Sequence, residues 1–243
     1  MISVICCYNN RRIYEETLLK SFSNQTETCE MIPVDNSNNQ FDSAAKALNY
    51  GASLSHGDYL IFAHQDIEIY EKTFVTSLIN HLKNLHPAII GVAGRSEVDS
   101  LVHSNITDSD KRIPAGGIRI DEPSVVQTLD ECLIALERNV FDKYLFDEKT
   151  CSNWHLYTVD LCLSAGMDNI KSYVIPVDAH HKSSGKISKE YYKTLVKLIK
   201  KHRKNVTKIY STCSVVSTKY AQYTIFRLHG TTKSILRKLI KSF

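Results

Sequence analysis

Short apolar runs alternate with amphipathic stretches over the first ninety residues of the chain. Four runs have the length and β-branched content of buried strands: residues 2–7, 31–34, 59–63 and 89–93. Three stretches between them repeat their apolar residues at helical spacing: residues 12–22, 43–53 and 74–85. Strands that are separated by helices form right-handed βαβ units. The pattern therefore predicts a mostly parallel sheet flanked by helices.

The pattern changes after residue 95. Residues 95–123 carry charges, two prolines and Gly116-Gly117, which predicts a long loop or a hairpin. Beyond them we expect strands at 125–129, 132–137 and 172–175 and a helix at 156–165. A long basic helix is predicted at 187–205, a β-like segment at 213–216 and an amphipathic helix at 231–243. The expected organisation is an α/β domain at 1–185 and a basic helical C-terminal extension at 186–243.

The distribution of charge supports this division. The 243 residues include 30 Lys+Arg and 26 Asp+Glu, a net charge of +4. Residues 1–185 hold 15 basic and 25 acidic side chains, or −10, whereas residues 186–243 hold 15 basic residues and the single acid Glu190, or +14. Such a basic block favours a polyanionic partner for the extension, either an anionic membrane surface or nucleic acid.

Cysteine usage and hydropathy exclude several classes of protein. The seven cysteines are scattered and form no CxxC pair, which indicates free thiols in a reducing compartment rather than a disulfide framework or a cysteine zinc site. No apolar run approaches the roughly 18 residues that a membrane-spanning helix needs. The first eight residues lack the features of a signal peptide. We therefore expect a cytoplasmic protein.

Three polar clusters follow the first three predicted strands: Tyr8-Asn9-Asn10, Asp35-Asn36-Ser37 and His64-Gln65-Asp66. Each cluster alone also fits an ordinary strand end or turn. Ligands of open α/β sheets bind beyond the carboxyl ends of the strands, so three clusters at one edge favour a ligand site. The chain has neither GxGxxG after the first strand nor GxxxxGK[ST], which argues against an ordinary dinucleotide site and a P-loop.

Asp66 is the strongest single candidate for a functional residue. It follows a predicted apolar strand, so its carboxylate should emerge from a fixed backbone. A hard divalent cation on a substrate diphosphate typically uses one or two protein carboxylates. His64, two residues away, could add an imidazole ligand. The plain alternative is a solvated strand end.

Two later segments carry further candidate chemistry. His155 and Asp160 lie five residues apart near a predicted helix start, where an acid also interacts favourably with the helix dipole. His180-His181 follow the last predicted strand, and paired histidines can ligate a metal. A polar loop before the basic helix is the plain interpretation of that second segment.

The order of these motifs resembles that of family-2-type glycosyltransferases of the GT-A fold, in particular a bacterial glycosyltransferase-like branch with a WHxYxxD segment. Residues 3–9 resemble the first strand of that family, and Asp35-Asn36-Ser37 its nucleoside-binding segment. Residues 45–51 resemble its A-x-N-x-G helix. The likeness covers residues 1–185.

Three further segments complete the resemblance. Residues 57–66 resemble the strand before the metal-binding DxD motif, with His64 in place of the first Asp. Residues 153–160 resemble the segment of the catalytic base, with Val159-Asp160 in place of the usual Glu-Asp pair. Residues 181–185 resemble the late histidine segment that closes the metal site.

The resemblance implies a metal-dependent, inverting glycosyltransferase of hexosyl or N-acetylhexosaminyl type. It would move a sugar from a nucleotide-sugar donor, with UDP favoured, to a hydroxyl of a glycan or lipid-linked acceptor in bacterial cell-surface polysaccharide synthesis. Asp160 is implied as the catalytic base, and Asp66, His64 and His181 as ligands of Mn²⁺ or Mg²⁺. The implied donor-binding residues are Tyr8, Asn9, Asp35, Asn36, Ser37, Asn49, Gln65, Arg95, Asp130, Trp154 and His155.

The basic extension and two alternatives complete the expectations. We expect peripheral attachment through the extension to the inner face of an anionic membrane rather than nucleic-acid binding, and the sequence leaves a homo-oligomer open. A nucleotidyltransferase is less favoured because a glycine-rich, basic loop is missing after the first strand. A non-catalytic, transferase-like protein that binds sugar nucleotides or nucleic acid stays open because of His64.

Overall fold

The computed structural model describes residues 1–109, 111–183 and 187–219. Its helical segments are α1 (Arg11–Tyr14), a π-helical turn (Glu15–Leu19), α2 (Lys20–Ser23), α3 (Ala44–Leu54), α4 (Phe74–Leu85), α5 (Arg138–Tyr144), α6 (Tyr157–Gly166) and α7 (Lys189–His202). Its strands are β1 (Ile2–Tyr8), β2 (Glu30–Asp35), β3 (Tyr59–Ala63), β4 (Ile67–Glu68), β5 (Ala88–Gly91), β6 (Ala93–Arg95), β7 (Val102–Ser104), β8 (Ile106–Asp108), β9 (Ile113–Pro114), β10 (Ser124–Val126), β11 (Thr128–Leu129), β12 (Leu133–Glu137), β13 (Lys171–Val174), β14 (Ala179–His181), β15 (Lys208–Ser211) and β16 (Ser214–Ser217).

The central sheet has seven strands in the order β10-β13-β5-β12-β3-β1-β2. β1 pairs in parallel with β2 and β3, and β13 pairs in parallel with β5. β12 runs antiparallel to both β3 and β5, and β10 runs antiparallel to β13. The prediction of a mostly parallel α/β sheet is confirmed. The carboxyl ends of β1, β2 and β3 lie at one edge, where the amino end of β12 joins them.

Both faces of this sheet are buried, which explains why its strands are almost continuously apolar. Along β3, Ile61 packs into the core under α4 and the α1–α2 segment, and its neighbour Phe62 packs into the opposite core under α3, α5 and α6. α3 presses closely on β1, because a Cβ at Gly51 would lie 2.5 Å from Cγ2 of Ile5. These two cores hold the polar strand ends in fixed positions.

Residues 95–123 differ from the predicted long loop or hairpin. They contain three short strands: β7 belongs to a small sheet of order β11-β6-β7, and β8 and β9 belong to another of order β4-β14-β8-β9. β14 lies between β4 and β8, so the segment that carries His181 is placed directly beside the segment that follows Asp66. The small sheets therefore bring residues from distant parts of the chain to the edge of the central sheet.

α7 and the hairpin β15–β16 pack against the outer side of α6. The shared core includes Val159 and Leu163 of α6, Leu195 and Ile199 of α7, and Ile209 of β15. Residues 187–219 therefore pack directly on the α/β domain, and the domain boundary at residue 185 stays a prediction. The predicted amphipathic helix at 231–243 lies outside the described residues.

Two smaller expectations concern thiols and membrane spans. All seven cysteines lie in the described ranges, and none of them forms a disulfide, as the sequence predicts. In the part of the chain that the structure describes, no helix combines the length and apolar character required to cross a bilayer.

Candidate active site

A cavity of about 380 Å³ opens where β1 and β3 end. We call it the first cavity, and its walls include Tyr8, Asn9, Asn36, Gln65 and Asp66. Tyr8 ends β1, and Gln65 and Asp66 follow β3, so the parallel strands bring the predicted clusters together. Their convergence follows from the sheet order, because ligand crevices form outside the carboxyl ends of such strands.

Gln65 ties the loop after β3 to the loop after β1. Its side-chain oxygen accepts hydrogen bonds from the backbone N–H groups of Asn9 (3.1 Å) and Asn10 (3.0 Å). Its amide nitrogen donates to Oδ1 of Asn9 at 2.8 Å. The two loops therefore form one rigid rim, and Gln65 acts mainly by holding this rim in shape.

The cluster after β2 is built as a turn at the rim. The backbone N–H and the hydroxyl of Ser37 both donate to Oδ1 of Asp35, at 2.8 and 2.6 Å, and these bonds lower the pKa of Asp35. Asn36 is buried and exchanges hydrogen bonds with the backbone of Phe41. Asp35 is exposed, and its carboxylate also interacts with the hydroxyl of Tyr8 at the end of β1.

His64, Asp66 and His181 form a candidate metal-binding triad. One ligand atom from each of them lies within 4.8 Å of the others. Nε2 of His181 is 3.2 Å from Oδ1 of Asp66, and the hydroxyl of Ser183 donates to Oδ2 of Asp66 at 2.6 Å. The antiparallel pairing of β14 with β4 sets this distance, because His181 lies opposite Ile67.

The charges in the triad favour a cation. Burial alone would raise the pKa of Asp66, but His181 and Ser183 outweigh it and hold that pKa well below its usual range. Burial and the charge of His181 lower the pKa of His64, which leaves a neutral imidazole. For His181, burial lowers the pKa, but Asp66 outweighs it and raises the pKa.

The donor atoms of the triad fit a divalent ion. Nε2 of His181 is buried, and no described residue gives it a well-aligned hydrogen bond, although Asp66 is close. An unsatisfied buried nitrogen beside an ionised carboxylate is costly unless a further group binds both. Two imidazole nitrogens and one carboxylate suit Mn²⁺, whereas Mg²⁺ prefers oxygen ligands. His64 in place of an aspartate is therefore compatible with metal binding.

A second cavity, of about 420 Å³, adjoins the first. Its walls include Asp130, Glu131, His155, His181 and Thr212. The two cavities share His64, Trp154 and Ser183, so the triad lies where they meet. The indole of Trp154 is 42 % exposed and forms part of both walls. A molecule bound across the triad could therefore extend into both cavities.

The hairpin β15–β16 closes one side of the second cavity. The hydroxyl of Thr212, at the tip of the hairpin, donates to Oδ2 of Asp130 at 2.6 Å. Arg95 donates to the backbone oxygens of Ser211 (3.1 Å) and Ser100 (3.0 Å). Asp130 lines the second cavity, and the guanidinium of Arg95 is engaged in holding the hairpin. Arg95 is not among the described lining residues of either cavity, so its predicted contact with the donor stays a prediction.

The structure does not bring Asp160 to either cavity, as the described residues define them. Its side chain is 2 % exposed, with Oδ1 2.7 Å from Nε2 of His202 and Oδ2 2.7 Å from Nζ of Lys201. Asp160 lies in the first turn of α6 and binds α6 to the end of α7. A carboxylate buried in this ion pair cannot reach an acceptor hydroxyl, so this geometry corrects its predicted role as general base.

Asn49 and His155 complete the predicted residues. The side chain of Asn49 binds the backbone of Phe146 through both its oxygen and its nitrogen, at 3.1 and 2.9 Å, and so fastens the loop after α5 to α3. His155 lines the second cavity, and its Nε2 lies 2.9 Å from the hydroxyl of Ser188. Burial lowers the pKa of His155.

The sequence reasoning missed Glu131 and the tip of the hairpin. Glu131 precedes the apolar strand β12, and the pair Asp130-Glu131 is a polar cluster like those after β1 and β3. The missing signal was the direction of β12: its amino end, not its carboxyl end, lies at the ligand edge. Nothing in the sequence around Thr212 indicates that it contacts Asp130.

Comparisons with known proteins agree with this architecture. A family model described as "Glycosyltransferase like family" matches residues 3–210. No curated protein sequence gives a significant match.

Solved structures show the same fold at low sequence identity. A mannosyltransferase from Pyrobaculum calidifontis, solved with GDP-Man and Mn²⁺, has a TM-score of 0.59 and 12% identity over 84% of this chain and 64% of its own. GalNAc-T7, solved with UDP, GalNAc and Mn²⁺, has a TM-score of 0.60 and 14% identity over 82% of this chain and 47% of its own. Residues 1–349 of S. aureus TarS, solved with UDP-GlcNAc, have a TM-score of 0.59 and 14% identity over 92% of this chain and 70% of that structure. The chain therefore spans less than two thirds of the first two proteins, and the fold is of the GT-A type.

Proposed function

The chain belongs to the glycosyltransferase-like family, and on that premise we propose that it transfers a sugar from a nucleotide-sugar donor to a hydroxyl acceptor. The observation that carries the proposal is the position of the triad His64, Asp66 and His181 at the junction of two cavities. One cavity suits the nucleotide and the other suits the acceptor.

The first cavity fits the nucleoside half of the donor. Tyr8, Asn9 and Asn36 line it, and Gln65 holds the loop after Tyr8 rigid. The exposed carboxylate of Asp35 beside this rim can accept hydrogen bonds from ribose hydroxyls. We favour a UDP-sugar because two of the similar structures contain UDP or a UDP-sugar.

The triad would hold a divalent ion, with Mn²⁺ favoured by its two imidazoles. When bound there, the ion would neutralise charge on the diphosphate leaving group. Asp66 is fixed for this task by Ser183 and by its buried position beside His181. The residues that surround the triad therefore keep the ligands in place before the donor arrives.

Trp154 is suited to position the transferred sugar. Its exposed indole contributes to both cavities beside the triad. The apolar faces of hexoses and N-acetylhexosamines stack on aromatic rings, which offer a large contact area at a small entropic cost. The anomeric carbon would then face the second cavity, where the acceptor hydroxyl attacks opposite the leaving group and inverts the configuration.

The acceptor that we propose is a glycan or lipid-linked saccharide of a bacterial cell-surface polysaccharide. The second cavity combines polar groups such as Asp130 and His155 with apolar groups such as Leu156 and Ile187. Attachment of the basic C-terminal part to the inner face of the membrane would place the enzyme beside a lipid-linked acceptor.

A thermal-shift panel tests the proposed function. UDP-GlcNAc, UDP-GalNAc, UDP-glucose and GDP-mannose are added with and without Mn²⁺. A ligand at 100 times its Kd stabilises the folded state by about 2.7 kcal/mol, which corresponds to roughly 5–11 °C for a chain of this size. We expect such a shift with at least one donor, and only when Mn²⁺ is present.

Asp66→Asn should abolish the donor-induced thermal shift in the presence of Mn²⁺, because the substitution removes the ionised ligand. Asp178→Asn is the matched control, since Asp178 pairs with Arg119 at the exposed surface and should behave as wild type. Stabilisation by none of the donors would contradict the proposal. Donor binding without turnover on any acceptor would instead indicate a non-catalytic sugar-nucleotide binding protein.

A further inference from the structure

Glu131 lies at the same sheet edge as the triad, on the wall of the second cavity. The backbone N–H of His64 donates to the backbone oxygen of Cys132 at 2.9 Å, so the two segments run side by side. The hydroxyl of Tyr157 lies 3.4 Å from the backbone oxygen of Glu131 and 3.3 Å from Nε2 of His64. Glu131 is therefore held in a fixed position one side chain away from the triad.

The proposed function needs a group in the second cavity that can take a proton from the acceptor. Among the described residues, three carboxylates outside the triad line this cavity: Asp108, Asp130 and Glu131. Both oxygens of Asp130 are engaged, since Oδ1 accepts from the backbone N–H of Cys132 (3.1 Å) and Oδ2 accepts from Thr212 (2.6 Å). Asp108 ends β8 directly beside His181 in the β8–β14 pair.

Glu131 differs from Asp130 because one of its oxygens is both buried and unpaired. Its Oε1 is buried and has no hydrogen-bond partner among the described residues. The backbone N–H groups of Leu156 and Tyr157, at the start of α6, face its carboxylate. A buried carboxylate on the wall of a cavity, with an unpaired oxygen, is arranged to bind an incoming hydroxyl.

We propose that Glu131 is the general base, accepting the proton of the acceptor hydroxyl through Oε1; this inference rests on the proposed function. As the proton moves to Glu131, the hydroxyl oxygen forms a bond to the anomeric carbon of the donor sugar. The bond from that carbon to the phosphate oxygen breaks, and its electron pair leaves with the nucleoside diphosphate. Glu131 then releases the proton to solvent.

The surroundings of Glu131 suit this task. Burial, and then the charge of Asp130, raise its pKa, the two backbone N–H groups lower it, and the result is a pKa of about 8. Among the described residues, Tyr157, Cys151, Tyr191 and Cys213 also lie near its carboxylate, and none of these four is cationic at neutral pH. The histidines on the walls of the same cavity are His64, His155 and His181. A base is most effective when its pKa lies near the working pH.

Glu131→Gln tests the inference, because it keeps the shape and removes the basic oxygen. Turnover is measured as nucleoside diphosphate release from UDP-GlcNAc, UDP-GalNAc and GDP-mannose with Mn²⁺, with water as acceptor. We expect kcat to fall by about 10²–10⁴-fold, while the donor-induced thermal shift and the KM for the donor stay within about twofold. Glu137→Gln, at the far end of the same strand β12, is the matched control and should turn over as wild type.

The pH profile separates catalysis from a structural role. Wild-type kcat/KM should rise with pH through about 8, as Glu131 of the free enzyme loses its proton, and Glu131→Asp should keep a rise at reduced kcat/KM. If Glu131→Gln does not fold, Glu131→Asp carries the test alone. Wild-type turnover in Glu131→Gln, or an unchanged kcat and pH profile in Glu131→Asp, would overturn the inference. If the wild type neither binds nor turns over any of the donors, the proposed function fails, and this inference fails with it. If the wild type is active and Glu131→Gln differs from it only in a lower kcat, the result supports both the proposed function and the role of Glu131.

Discussion

Asp160→Asn distinguishes a structural carboxylate from a catalytic one. Asp160 contacts His202 and Lys201 through its two oxygens, both at 2.7 Å. The side chains of Asp160 and His202 are 2 % and 1 % exposed, whereas that of Lys201 is 32 % exposed and also contacts Asp147 at 2.9 Å. Asparagine keeps the shape of the side chain, but it has one acceptor oxygen instead of two and carries no charge.

The expected loss of stability follows from these contacts. A hydrogen bond to a charged group contributes about 1.5–3 kcal/mol, and breaking a buried ion pair costs about 3–5 kcal/mol. The contact with His202 is fully buried, so its whole contribution to the free energy of unfolding should be lost. The contact with Lys201 is partly screened by solvent, and Lys201 still pairs with Asp147 in the variant. We therefore expect the free energy of unfolding to fall by about 3 kcal/mol, and the Tm by roughly 6–12 °C.

Urea unfolding followed by the fluorescence of Trp154, the chain's one tryptophan, measures this change. Trp154 lies three residues before α6, so it reports on the helix that Asp160 holds. Turnover per folded molecule should be unchanged because Asp160 lies outside both cavities. Asp42→Asn, an exposed partner of Lys46, is the control and should show no measurable change. Wild-type stability with a 100-fold loss of kcat would refute the reasoning and restore Asp160 as the base.

Two further predictions concern pH and the membrane. Hydrogen bonds from the backbone N–H of His56, from Ser3 and from the His56 ring lower the pKa of Glu30 from 4.5 to about 2. The resulting stability is fully present above pH 4.5 and is lost as the pH falls towards 2. Glu30→Gln should therefore lower the free energy of unfolding at pH 7 by about 2–3 kcal/mol. In urea titrations, the free energy of unfolding of this variant should also depend less on pH between 4.5 and 2 than that of the wild type. The membrane prediction is tested by vesicle flotation of a full-length variant in which four basic residues are changed to Glu: Lys233, Arg237, Lys238 and Lys241. This variant should lose binding to anionic vesicles, since each basic residue near such a surface contributes about 1 kcal/mol. Equal binding of wild type and variant would contradict membrane attachment through this segment.

The sequence allowed the donor side of the site to be predicted because that side depends on local patterns. The runs that became β1 and β3 are apolar on both faces, so their ends could be located to within a residue. Parallel strands then require Tyr8 and Asp66 to meet at one edge. His181 reached the same edge through the pairing of β14 with β4, as the family resemblance implied.

The acceptor side depends on contacts that no local pattern records. Strands of two or three residues, such as β7 and β9, are too short to show a period of two. The position of Asp160 at a helix start was predicted correctly, but the side to which its carboxylate turns was decided by Lys201 and His202, some forty residues later. Glu131 was missed because β12 enters the ligand edge at its amino end.

The hairpin β15–β16 bears on how enzymes of this kind can diverge after gene duplication. Its tip, Ser211 to Cys213, forms one wall of the second cavity, whereas the described lining of the first cavity comes mainly from residues 7–66, with Trp154, Tyr157 and Ser183 completing it. Surface loops accept insertions and substitutions more readily than the strands they join. On the proposed function, a duplicated copy could acquire a new acceptor through changes in this hairpin alone, while it inherits the donor chemistry intact.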